Sequence, residues 1–491
     1  MKWYNGIILF NIFNIANTFL NFKLNKPFSI KDYEYNKKIN YIIPESEKDI
    51  IKKINGFYGI IGPDINITEI NNLFNLFIGD GIINGVFIEN GEITVLNHFI
   101  RTEKIIYEQI NGKFLKSNFL IGFNMLMNKL KLQPNIMGVA NTEILNINNK
   151  NEIYALFERD LPYKLNINFI DKTIETIKKV DIKGIEYFSG HSKYLDTYTK
   201  RNPKNHHMNI SCNIHTIEYN ILLNTINYHI LYPNFEWKNT YKIKMNYIPI
   251  VHDFIIFDDS RFFLMDSPLK IDFSKIFNLE NLFSSNMSVF VSLQKNEKTY
   301  FRLYDPNMNI EKTYVYNKGL YCFHYADYTE NNDNIEIYSS IYEKLDFMNL
   351  DIYGIYSKII INKKSGNVDI LSTDELKKYN LDFPIKYKNY IILRNIYNNS
   401  INGYVVCKGL EIVNKLFFND IYFSGEPIIV NISENYEEIP YLISFAYDDN
   451  QNGYLIIIKL FDFCGTNSNF IKIPLNIKLN IGFHSIFISN K

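Results

Sequence analysis

The feature that most constrains this chain is its punctuation. From about residue 44 onward, short apolar runs of β type alternate with Asn, Asp and Gly turn signals. Examples are Gly85-Val-Phe-Ile-Glu-Asn-Gly-Glu-Ile-Thr-Val95, Tyr353-Gly-Ile-Tyr-Ser-Lys-Ile-Ile-Ile-Asn362 and Gly453-Tyr-Leu-Ile-Ile-Ile-Lys459. β-Branched and aromatic side chains suit a pleated, half-buried surface. Asn90-Gly91 and Ser365-Gly366 supply the residues that tight hairpins require. Helical periodicity is scarce, and one short helix is expected over residues 115–131. Many short strands in one long chain leave a sandwich array, a large barrel or a propeller. No WD or kelch repeat selects among them.

Composition narrows the partners. Lys+Arg and Asp+Glu both total 52, so the net charge is zero. A nucleic-acid partner held by counterion release needs a basic surface, which this balance and the lack of any sustained basic run exclude. The four cysteines, Cys212, Cys322, Cys407 and Cys464, contain no CxxC pair. That rules out a zinc ribbon or redox dithiol and suits a reducing, cytoplasmic compartment. Residues 1–43 read as an N-terminal leader or extension, with a signal peptide or membrane-directed segment as the alternative, ahead of one domain over 44–491. The apolar run at residues 7–20 is too short and too broken by Asn to span a bilayer. No other segment approaches ~20 uninterrupted apolar residues, so the body is not an integral membrane protein.

Four histidines stand out: His191, His252, His324 and His484, each in its own strand-like run. A lone histidine in a strand is ordinarily a satisfied core or surface residue. The first three are spaced by several tens of residues, and a longer interval precedes the fourth. One histidine on the inner strand of successive blades, with one blade skipped, gives such a pattern. The spacing favours a propeller with an axial site. Around His252, the runs Ile248–Phe257 and Arg261–Leu269 flank a turn at Asp258-Asp259-Ser260.

The segments resemble, in collinear order, those of the carotenoid cleavage oxygenases. Gly56-Phe-Tyr-Gly-Ile-Ile-Gly-Pro63, Phe77-Ile-Gly-Asp-Gly-Ile-Ile83, Asn97-His-Phe-Ile-Arg-Thr102, Asn141-Thr-Glu143, Ala155-Leu-Phe-Glu-Arg-Asp-Leu-Pro-Tyr163 and Thr173-Ile-Glu-Thr176 carry the first part of the likeness. Gly190-His-Ser-Lys193, Val251-His-Asp-Phe254, Phe323-His-Tyr-Ala-Asp327 and Gly482-Phe-His-Ser485 carry the histidines. Each motif alone is weak; their shared order is the signal. The family includes apocarotenoid oxygenases, stilbene cleavage enzymes and a retinoid isomerohydrolase.

The resemblance implies an all-β, seven-bladed propeller with a short helical, apolar cap over an axial Fe(2+). The implied ligands are His191, His252, His324 and His484. Imidazole suits iron, and four neutral ligands leave the metal its charge and up to two open positions. Metal-bound histidines need their other ring nitrogen held. By resemblance Glu158 would hold His252, and Glu426, in Ser424-Gly-Glu-Pro-Ile428, would hold His484. Asp382, where the family has Glu in a Glu-Phe-Pro segment, would hold His324. Asp382 is one methylene short, so reaching His324 requires a backbone shift or a bridging water. Asn84, His98 and Asp327 also depart from the family pattern. Cys322 is expected to pack near the site on the His324 face.

The implied activity is oxidative cleavage of a carbon–carbon double bond in a carotenoid or apocarotenoid, with O₂ as co-substrate. Stilbene cleavage, retinyl ester isomerohydrolysis and a non-catalytic terpenoid-binding propeller are the alternatives. An apolar stretch, with Phe114, Phe119, Leu120, Phe123 and Leu126 flanked by lysines, fits peripheral membrane attachment. Its other reading is a buried helix.

Overall fold

The computed structural model describes residues 34–39, 44–65, 72–114, 117–147, 151–195, 212–276, 278–283, 290–350, 352–397, 400–434, 437–461 and 470–490. The run at 7–20 and the histidines His206 and His207 lie outside these. Among the described residues the protein is overwhelmingly β. The turn signals act as expected. Asn90 and Gly91 both take positive φ (53° and 84°) in the two-residue loop joining Gly81–Glu89 to Glu92–Phe99. Ser260, at φ 73°, turns Ile255–Ile256 back onto Phe262–Asp266.

The strands assemble into four-stranded antiparallel sheets, largely in chain order. One is formed by Glu143–Asn146, Glu152–Leu156, Tyr163–Asn168 and Thr173–Lys179. A second runs from Lys193–Leu195 to Trp237–Lys244, a third from Ile255–Ile256 to Ile310–Tyr316, and a fourth from Tyr325–Glu330 to Val368–Leu371. A nine-stranded sheet takes the chain from Leu381–Tyr387 to Phe470–Pro474. Leu269–Ile271 and Val291–Leu293 form a two-stranded sheet, and in a five-stranded sheet the fifth strand comes from far away: Ser485–Ser489 pairs with Gly56–Pro63, tying the C-terminal strand to the first large hairpin. At that sheet's other edge, Tyr35–Lys38 pairs with Glu92–Phe99.

Burial explains the patterning. Tyr163–Asn168 alternates buried and half-buried residues, as a strand with one covered face should. Gly81–Glu89 is buried along almost its whole length, an apolar run interrupted only by Asn84 before its terminal Glu89. Between neighbouring sheets lie apolar clusters such as Phe263, Phe301, Ile337, Ile359 and Cys322. Cys322 therefore packs in an inter-sheet core, ahead of the strand Tyr325–Glu330, and burial pushes its thiol up to about 12.

The expected helix is present as Asn118–Lys129, its first turn capped by Ser117 Oγ accepting from Leu120 N–H at 3.3 Å. Further helices depart from the strand-only reading, the two longest being Glu45–Lys53 and Glu103–Asn111. Glu45–Lys53 packs Ile51 into the core beside Ile54, and Glu103–Asn111 is capped by Thr102 Oγ1 accepting from Ile105 N–H at 3.1 Å. In both, apolar residues at helical spacing are diluted by Lys, Glu and Asn, which hides the stripe.

Candidate metal centre

The four histidines, scattered in sequence, meet. The His191 ring centroid is 4.4 Å from that of His252, 5.0 Å from His324 and 4.6 Å from His484. His324 is 5.1 Å from both His252 and His484. None of the four lies inside a strand, contrary to the expectation from sequence. Each sits just ahead of the edge strand of a sheet: Lys193–Leu195, Ile255–Ile256, Tyr325–Glu330 and Ser485–Ser489. The reason is directional. A regular strand sends side chains to its two faces, whereas a ring entering the strand can point along its axis toward a common centre.

The entry segments are stitched together. Lys193 Nζ lies 2.6 Å from Asp253 Oδ1, and Asp253 Oδ2 accepts from Tyr325 N–H at 3.0 Å. One buried carboxylate thus joins the segments carrying His191, His252 and His324. Ser485 N–H donates to Glu426 Oε2 at 2.9 Å and fixes the fourth. A Cβ at Gly190, beside His191, would meet the Glu158 carboxylate at 2.9 Å, so any larger residue there would have to displace it.

All three expected carboxylates reach their rings. Glu158 Oε1 is 2.6 Å from His252 Nδ1, and Glu426 Oε1 is 3.3 Å from His484 Nδ1. Asp382 Oδ1 accepts from His324 Nδ1 directly at 2.9 Å, so no bridging water is needed. The backbone bends there: Phe383 takes φ 57° and the strand register slips between Asp382 and Ile385. The other Asp382 oxygen accepts from the buried Tyr342 hydroxyl at 2.5 Å. A fourth carboxylate, not expected from sequence, stands beside the fourth ring: Glu143 Oε2 is 2.9 Å from His191 Nδ1.

The electrostatics follow from burial and pairing. Burial, reinforced by the neighbouring rings, holds His191 well below the usual imidazole range. Burial pulls His324 down to about 4, although Asp382 opposes it. At His484 burial also disfavours the charge, but the Glu426 and Glu143 carboxylates outweigh it and raise the group. Burial would raise Glu158 and Asp382; their partners, His252 for the first and His324 with Tyr342 for the second, bring both below the normal carboxylate range instead. Burial likewise pushes the Arg394 guanidinium down to about 10, and it lies 3.2 Å over the Phe383 ring.

This arrangement fits a cation at the centre. A carboxylate beside Nδ1 selects the tautomer with hydrogen on Nδ1 and leaves the lone pair on Nε2. The Nε2 atoms of His191 and His252 then face each other at 2.9 Å, and His324 Nε2 is buried without a partner. Converging lone pairs repel unless an ion stands between them. The ligand nitrogens of His191, His252 and His324 all lie within 4.8 Å of one another, a spacing one ion can bridge. A nitrogen-only donor set suits first-row transition metals rather than calcium or magnesium.

A family model described as retinal pigment epithelial membrane protein matches residues 49–489. The chain belongs to this carotenoid oxygenase family. Among the curated relatives, a carotenoid 9,10(9′,10′)-cleavage dioxygenase of Phaseolus vulgaris is 22% identical over 493 residues, covering 89% of this chain and 84% of its own. Among solved structures, the Synechocystis apocarotenoid oxygenase superposes with a TM-score of 0.70 at 17% identity, over 95% of this chain and 100% of its own. A lignostilbene dioxygenase of Pseudomonas brassicacearum gives 0.71 at 16%, over 95% and 98%. Those two likenesses establish the carotenoid oxygenase fold.

Other residues flagged in the sequence stand apart from the rings. Asp327 pairs with Lys386 at 2.5 Å, and Asn84 accepts from Asn97 at 3.4 Å. His98 is 3.1 Å from Thr176 Oγ1. The apolar helix is split in exposure. Phe119, Leu120 and Phe123 are half-buried, Phe114 stacks on Tyr107 at 5.0 Å, and Leu126 is 55% exposed. Leu130, Leu132, Ile106 and Ile110 add exposed apolar surface nearby in sequence. No helix among the described residues is long and apolar enough to cross a membrane.

Proposed function

We propose that the protein is an Fe(II)-dependent dioxygenase that cleaves a carbon–carbon double bond of a carotenoid or apocarotenoid to carbonyl products. The observation that carries this reading is the convergence of four imidazoles whose outer nitrogens each face a carboxylate. His191, His252, His324 and His484 would hold the metal, with Glu158, Asp382 and Glu426 fixing their rings. Bound iron supplies the redox chemistry with O₂ that an alkene cleavage needs. The chain's own contribution is rigid placement and an apolar approach. Phe323 lies 5.5 Å from His252, and Phe383 lies 4.4 Å from His324 and 4.8 Å from His484. Phe483 and Phe77 continue the aromatic series toward a cluster containing Phe74 and Ile121 of the apolar helix. Such a path suits a lipophilic polyene and excludes water from the reacting centre.

The same reading treats 44–491 as one seven-bladed propeller domain and 1–43 as an extension fastened to it through Tyr35–Lys38. The nine-stranded sheet counts as two blades, joined where the short strand Tyr422–Phe423 bridges Ser400–Lys408 and Glu437–Tyr447. Cofactor-loaded protein should consume O₂ with an apocarotenal and release two carbonyl fragments. Uptake with a hydroxystilbene alone would move the substrate class to stilbenes, and uptake with neither would defeat the enzyme reading.

Membrane attachment through the apolar helix belongs to this proposal, supported by the exposed Leu126 and Leu130 beside Lys129 and Lys131. The parent protein should float with liposomes, and Leu126→Asp with Leu130→Asp should remain in the dense fraction. Equal flotation of both proteins would refute the patch.

A further inference from the structure

Three of the four rings have carboxylate partners expected from sequence; His191 has none. We propose that Glu143 is the positioning residue of His191, holding its Nδ1–H so that Nε2 faces the metal. This rests on the reading of the four histidines as iron ligands and adds a fourth carboxylate to their surroundings.

Four observations carry it. Glu143 Oε2 stands 2.9 Å from His191 Nδ1, the same distance at which Asp382 holds His324. That oxygen is sealed from solvent and lies beside His191 Nδ1, its approach off the hydrogen-bonding axis. Glu143 opens the edge strand Glu143–Asn146, which packs beside the strand that His191 leads into. The placement also repeats a rule of this fold: Glu143, His191, His252, His324, Asp382, Glu426 and His484 each lie at, or just ahead of, the start of an edge strand.

His191 is also the ring whose orientation matters most. Its centroid lies within 5.0 Å of each of the other three, and its backbone N–H is already anchored on Ser189 Oγ at 3.0 Å. With the backbone fixed, the ring keeps only its rotation and its tautomer. A carboxylate at Nδ1 sets both. Burial disfavours a charge on Glu143; the Lys193 ammonium nearby, and a dication at the centre, work against that cost.

The test uses full-length protein loaded anaerobically with Fe(II), with affinity measured by chelator competition. Glu143→Leu, which removes the acceptor and stays apolar, should weaken Fe(II) binding about 10–100-fold. Glu143→Gln, which keeps an acceptor of the same length, should bind closer to the parent. Co(II)-loaded parent in H₂O should show a strongly shifted, exchangeable N–H proton resonance for each ring, and Glu143→Leu should lose one. If the leucine variant does not fold, Glu143→Ala carries the same readouts. A variant lacking the acceptor that binds Fe(II) like the parent and keeps every N–H resonance would overturn the role of Glu143 alone. A parent that binds no metal would overturn the metal centre and this role together.

Discussion

His252→Ala is expected to abolish iron retention. Parent protein loaded anaerobically and desalted should keep about one equivalent of iron, and the variant less than about a tenth of that, because three remaining rings no longer enclose the ion. The loss reaches beyond one missing donor. His252 is the partner that keeps the half-buried Glu158 carboxylate ionised, with a more distant Thr142 hydroxyl at 3.5 Å. Removing the ring leaves that charge without its partner, at a cost below the roughly 3–5 kcal/mol of a fully buried broken pair. His252→Ala should therefore melt earlier than the parent even without metal. Adding Glu158→Gln should return part of the stability while leaving iron retention near zero. That separation distinguishes a lost ligand from a protein that merely folds badly. Less than about half an equivalent in the parent itself would remove iron from the account.

The parts of this site that were legible in the sequence are those that travel as short blocks. His252 between Val251 and Asp253-Phe254 was readable because each neighbour is structurally committed. Asp253 ties down Lys193 and Tyr325 N–H, and Phe254 is core. The β character was legible because alternation and Asn-Gly turns act locally. The helices Glu45–Lys53 and Glu103–Asn111 were not, since a handful of isoleucines among lysines and asparagines resembles one more interrupted strand. Glu143 was in view, in Asn141-Thr-Glu143, yet nothing local marks its role. Its partner is His191, reached only through the arrangement of sheet edges. The one available signal was a carboxylate at a strand start beside the buried pair Asn141 and Thr142.

Asp382 shows how a shortened side chain can be accommodated. Its two oxygens are fully engaged: Oδ1 accepts from His324 Nδ1 at 2.9 Å and from Phe383 N–H at 2.8 Å, and Oδ2 accepts from Tyr342 at 2.5 Å. The Tyr342 ring in turn packs so closely on Gly354 that a Cβ there would meet its hydroxyl at 2.8 Å. The tyrosine has Gly354 at its back, and its hydroxyl, 2.5 Å from Asp382 Oδ2, stands in the way of an acid lengthened by one methylene on the same backbone. Asp382→Ala should weaken Fe(II) binding about 10–100-fold. It should also destabilise the fold by about 1–3 kcal/mol, since it strands the buried Tyr342 hydroxyl. Asp382→Glu should weaken binding as well, despite restoring the family's residue, because the added methylene drives the carboxylate into Tyr342. Combining Asp382→Glu with Tyr342→Phe removes the obstacle and should recover most of the affinity. The two positions should thus couple by about 0.5–3 kcal/mol in a double-mutant cycle read by chelator competition. Additive effects, with Asp382→Glu binding iron as tightly as the parent, would show that the hydroxyl does not set the length of the acid.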